Sequence, residues 1–179
     1  MRRLAALVLL LLGACAQRAA LPPGTVAGLP EVSCVPFARE LSGVALRGDA
    51  WTWWAAAAGA YARGPEPVPG AILVLACSSR LPSGHVAVVL RRIDARTITV
   101  AHANWGSRGD KGRVESDVPV IDVSPRNDWS LVRVWYAPIG AVGTGVFAAH
   151  GFVLPPRAGD PASLGATVPQ AARRAAGAA

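Results

Sequence analysis

Cysteine is scarce, with three in 179 residues. That is too few for a disulfide-dense scaffold, and no CxxC pair offers the spacing of a zinc site, so single-cysteine chemistry or one bridge remains. Long apolar runs are missing too. The longest occupies residues 4–12, about half of the roughly 20 positions a membrane span needs. The 19 Gly and 15 Pro show no three-residue period, which excludes a collagen-like chain and makes them turn and loop punctuation. There is no internal repeat, and no basic run interleaved with aromatics of the kind that binds nucleic acid. Acidic residues are outnumbered, 11 against 18 Lys+Arg, for a net charge of +7. Such a surplus suits an anionic partner without choosing among nucleic acid, phospholipid and acidic wall polymer.

What is present is apolar: 52% hydrophobic residues and a mean hydropathy of +0.35. That argues against disorder, although much of the share is alanine, which adds little side-chain area to a core. The length suits one domain. Met1-Arg2-Arg3, the apolar run and then Gly13-Ala14-Cys15-Ala16 follow the order of an export signal. Leu12-Gly13-Ala14-Cys15 also resembles a bacterial lipobox, in which Cys15 is lipidated, whereas Ala14-Cys15-Ala16 fits an ordinary cut. Either way the expected location is the periplasm or cell envelope. An exported protein meets wall and lipid first, so nucleic acid is not an expected partner and a membrane is one only through a lipid anchor.

The organisation read from composition is a signal at 1–15, a linker at 16–31, a body at 32–137, an extension at 138–157 and a disordered Ala/Gly/Pro-rich tail at 158–179. Within the body, Ser33 can cap a helix running to Ser42 and stopped by Gly43. A second helix is predicted from Asp49 through the Trp51, Trp53 and Trp54 cluster to Gly64. Thereafter short β-branched runs take over: residues 72–75, 85–90 and 97–100, with a fourth strand at 130–136. Helices first and strands after predict an α+β fold, N-terminal helices packed on an antiparallel sheet.

Cys34 falls at the start of the first helix, where free amides and the helix dipole favour a thiolate. Such a nucleophile needs a base. His85 opens a strand just past the turn Leu81-Pro82-Ser83-Gly84 and can face the helix start. The base in turn needs an orienting group, and His102 and Asn104 share a face of the next strand. Asn104 is the first choice and His102 the second. Cysteine on a helix, histidine on a strand and a polar residue beside it is the logic of papain-like thiol hydrolases.

Cys34-Val35-Pro36-Phe37-Ala38-Arg39, Gly48-Asp49-Ala50-Trp51-Thr52-Trp53-Trp54, Pro69-Gly70-Ala71-Ile72-Leu73-Val74, Ser83-Gly84-His85-Val86-Ala87-Val88-Val89 and Asn104-Trp105-Gly106 resemble, in content and order, the CHAP domain (cysteine, histidine-dependent amidohydrolase/peptidase). The resemblance covers residues 32–136. It implies a papain-like α+β fold, peptidoglycan as partner, cleavage of an amide bond through a thioester, Cys34 as nucleophile, His85 as general base, and no metal or organic cofactor. Two departures stand out. His102 occupies the place where many relatives carry the orienting Glu, and Ser33 stands where many carry Gln, leaving the Cys34 amide as the oxyanion donor. Trp51, Trp54 and Trp105 are candidates for a substrate groove, with core packing as their plain alternative. Cys34 can alternatively bridge Cys77, and Cys77 at a strand end can be a buried small hydrophobe. His150 has no motif around it and reads as structural or exposed. A wall-binding lipoprotein that keeps this fold without chemistry is the competing functional class.

Overall fold

The computed structural model describes residues 24–106 and 111–178. The signal segment, Cys15 and the first part of the linker lie outside them. Among the described residues, nine strands pair, all antiparallel: β1 (Gly24–Thr25), β2 (Arg63–Gly64), β3 (Ile72–Leu75), β4 (His85–Arg92), β5 (Thr97–Ala103), β6 (Val114–Asp122), β7 (Leu131–Tyr136), β8 (Ala141–Val142) and β9 (Phe147–Val153). The pairing path β6-β5-β4-β3-β9-β7 returns to β6, so six strands close into a barrel. Three helices accompany them: α1 (Cys34–Ser42), α2 (Trp53–Ala56) and α3 (Pro161–Gly177). The arrangement is α+β, with α1 and α2 against an antiparallel sheet, as the order of patterns predicts.

The uninterrupted apolar runs of β3 and β4 reflect burial on both faces. Ile72, Val74, Val86, Val88 and Leu90 pack outward under α1 and α3, in one core with Phe37, Leu41 and Trp53. Leu73, Leu75, Ala87 and Val89 point the other way, into a barrel interior filled by Ile98, Val100, Val118, Trp129, Val132 and Phe152. His85 lies opposite Leu75 in the ladder and so belongs to the inner face, at one end of the barrel. Helix α1 begins and ends as expected, at Ser33 and at a left-handed Gly43 (φ 75°), though the Ser33 side chain makes no capping hydrogen bond.

Five expectations are corrected. The second helix is not continuous from 49 to 64: a 3-10 turn (Ala50–Thr52) leads into the single turn of α2, and beyond it only Ala57 is buried, while Ala58 and Ala60 are exposed and Gly59 turns left-handed at φ 79°. The supposed tail carries α3, capped by the Asp160 carboxylate, which accepts from the Ser163 N–H at 2.8 Å. Its Leu164, Val168, Ala171, Ala172 and Ala175 are buried against α1, and Arg174 pairs with Glu40 at 2.8 Å. Alanine contributes little area, but it is the strongest helix former and allows close helix approach. The supposed linker supplies β1, which pairs with β6, and the supposed extension supplies β9, which sits between β3 and β7. Both therefore belong to the domain. Lastly, Cys77 is exposed rather than buried, since β3 ends at Leu75.

Candidate active site

Three elements converge at the end of the barrel where β4 begins. Helix α1 presents Cys34 in its first turn, partly exposed. The backbone amides of Val86, Val35 and Cys34 itself lie near enough to the thiol to favour its charged form. The Val86 contact puts the thiol beside the residue that follows His85. Cys34 and Cys77 are both free, so the alternative of a bridge between them does not hold. Burial pushes the Cys34 thiol up from its ordinary value, while the amides and the charge of Lys111 pull it partly back.

His85 is reached through a tight turn. Gly84 has φ +67°, and a Cβ there would lie 2.7 Å from the Trp51 backbone nitrogen and 2.8 Å from the Leu75 carbonyl oxygen, so only glycine fits. The Trp51 N–H donates to the Ser83 carbonyl at 3.1 Å, tying the segment before α2 to this turn. His85 itself is buried, at 3% exposure, with Trp105 packed 4.9 Å from its ring. Desolvation first, then the neighbouring His102 and the charge of Lys111, hold its imidazole well below the ordinary value.

The side chain within hydrogen-bond distance of the His85 ring is that of His102 and not that of Asn104. His85 Nε2 lies 3.1 Å from His102 Nδ1, with the two rings nearly perpendicular. Extending the Val88–Ala101 register would put Asn104 opposite His85 and His102 on the diagonal, so the strand pattern alone favours Asn104. The ladder stops short of that pair, however. Asn104 turns left-handed (φ 62°), its carboxamide oxygen accepts from the Gly112 N–H at 2.9 Å, and its own N–H donates to Arg113. Its side chain serves the turn.

One residue of this cluster is absent from the sequence reading. Glu115 of β6 stands directly opposite His102 in the ladder, 5% exposed, with a carboxylate oxygen 3.2 Å from His102 Nε2. The sequence pattern predicts no strand over residues 114–122, because Asp117 and Pro119 break the alternation that Val118 and Val120 would otherwise announce.

The tryptophans divide. Trp105 stacks near His102, touches Phe147 and lines a groove of about 440 Å³ with Arg80, Asn104, Lys111 and Tyr136. Trp51 is 46% exposed beside the turn before His85 but does not line this groove. Trp54 lies against β9, its ring near exposed His150 and covered by the Arg63 guanidinium at 4.9 Å. A second hollow of about 290 Å³ lies beside Ser33 and Pro36, next to Cys34, and Asn104 lines both. Among the described residues no cluster of three or more His, Cys, Asp or Glu has the arrangement of a metal site, and no helix is long and apolar enough to cross a membrane.

Comparison with protein-family models identifies a CHAP domain over residues 25–104, a span that contains Cys34, His85, His102 and Asn104. Cysteine hydrolase or amidase action on peptidoglycan is a property of that family as a whole. No curated protein and no solved structure matches the chain.

Proposed function

We propose that this CHAP domain is the catalytic body of an exported enzyme that cuts an amide bond in peptidoglycan, with Cys34 as nucleophile and His85 as general base. The observation that carries the reading is helix α1, with Cys34 in its first turn, packed on β4, where Nε2 of His85 is already engaged by a second imidazole. With Nε2 of His85 directed at His102, Nδ1 is the nitrogen left to take the thiol proton. The sulfur attacks the amide carbonyl, and the oxyanion forms at the first amides of α1, including that of Cys34. His85 returns the proton to the leaving amine, and water, deprotonated by the same base, hydrolyses the thioester. The substrate runs between the two hollows that meet at Asn104, past Trp105. Export is supported by the basic and apolar order of residues 1–16, and anchoring by the resemblance of Leu12-Gly13-Ala14-Cys15 to a lipobox.

The test is digestion of purified wall material by the wild type and by Cys34→Ala, with mass analysis of the released muropeptides. New amine and carboxyl ends with the wild type alone are expected, and their masses locate the scissile bond. Equal release by both proteins would overturn the reading and leave a wall-binding module.

A further inference from the structure

We propose that Glu115 is the positioning residue that sets the proton order of the imidazole pair, supplying from β6 the fixed negative charge that the strand bearing His102 lacks. The inference rests on His85 acting as the base.

Two observations converge on it. The first is the unbroken chain His85 Nε2, His102 Nδ1, His102 Nε2, Glu115 Oε2, with links of 3.1 and 3.2 Å and every member at least nine-tenths buried. In a neutral imidazole one nitrogen donates and the other accepts. A carboxylate can only accept, so His102 must carry its proton on Nε2. Its Nδ1 is then a lone pair, which only an Nε2–H of His85 can satisfy. That leaves His85 Nδ1 unprotonated, the form a base needs. The reverse order would aim a lone pair of His102 at a buried carboxylate. Glu115 thus selects the state of a ring it does not touch.

The second observation is how Glu115 comes to face inward. Val118 and Val120 belong to the barrel interior and Val114 to the helix side, so uninterrupted alternation from Val118 would turn Glu115 outward. Between Val118 and Glu115 the register slips: the partners change from Val100 to His102, two residues on β5 against three on β6. The extra residue is a bulge, with Asp117 left-handed at φ 56°. Bulges re-aim side chains. This one brings a carboxylate to His102 that a regular strand would send outward.

The experiment is nitrogen-15 NMR of histidine-labelled full-length protein at neutral pH, with His150 assigned through His150→Gln, alongside wall-digestion kinetics of Glu115→Ala and Glu115→Gln. The wild type should show both His85 and His102 protonated on Nε2. Glu115→Ala should lose that single state at His102 and lower kcat about 10- to 100-fold, with KM within about twofold, part of what a general base typically supplies. Glu115→Gln keeps the shape but is neutral and can donate as well as accept, so it should show mixed protonation at His102 and a kcat between those of the wild type and the alanine variant. Should the alanine variant fail to fold, the wild-type spectrum and the glutamine variant decide. A His102 protonated on Nδ1 in the wild type, or an alanine variant with wild-type spectrum and kcat, would overturn the assignment. A wild type without activity would sink the hydrolase reading instead, and the spectrum would still decide the role of Glu115.

Discussion

At the residue scale, the half-buried Cys34 and the buried His85 are poised as neutral thiol and neutral imidazole. Burial raises the Cys34 thiol and lowers the His85 imidazole, so both shifts act against a thiolate–imidazolium ion pair at rest. Alkylation of Cys34 by iodoacetamide, followed site by site by mass spectrometry, should therefore climb about tenfold per pH unit through neutrality and show no acid plateau. A plateau near pH 5 would mean a preformed ion pair. The same shifts bear on stability, with opposite signs. His85 has a depressed folded value, so its contribution is complete above the unfolded value of about 6.5 and is lost as pH falls through the folded one. Cys34 has a raised folded value, so its contribution is complete below the unfolded value and is lost as pH rises through the folded one. Melting temperature should accordingly decline from pH 7 toward pH 5, and less so in His85→Gln.

At the element scale, what matters is how a turn and a bulge aim side chains. The Gly84 turn delivers His85 to the first position of β4, and its positive φ and backbone contacts at 2.7 and 2.8 Å leave no room for a side chain. Gly84→Ala should cost about 1–3 kcal/mol, the usual scale of such strain, and should reduce activity more than stability because the displaced segment carries the imidazole. Chemical denaturation beside a kinetic assay measures both. Legibility in the sequence tracks regularity of the backbone. Residues 72–75, 85–90 and 97–100 are read correctly because their alternation or apolar run is unbroken, and α1 because its cap and stop signals flank it. β6 was missed because its alternation is interrupted where the bulge sits, and with it went Glu115. Asn104 ranks ahead of His102 in the sequence because the Cys-His-Asn logic of thiol hydrolases favours it, and the left-handed turn that removes it leaves no mark in a two-residue period.

For the whole molecule, the C-terminal helix ties the chain's end to the element that bears the thiol. Leu164 and Val168 are buried against α1 and the sheet, and the Arg174–Glu40 pair holds the two helices together at their exposed edge. Truncation after residue 158 should lower the melting temperature and expose apolar surface to a dye such as ANS, whereas a disordered tail would be removable without effect. Leu164→Ala alone should cost about 2–3 kcal/mol by the transfer and cavity terms of a buried leucine.

The amino-acid order by itself determined the α+β class, the thiol at a helix start, the histidine at a strand start and the family resemblance. Each of these is carried by short-range pattern: caps, stops, β-branched runs and motifs a few residues long. The tertiary structure alone decided that six strands close into a barrel, that an alanine-rich segment is a packed helix, and that His85 meets His102 and, through it, Glu115. Those outcomes depend on pairing between segments far apart in sequence and on one extra residue in β6, and a single strand's periodicity holds no record of its partner's register.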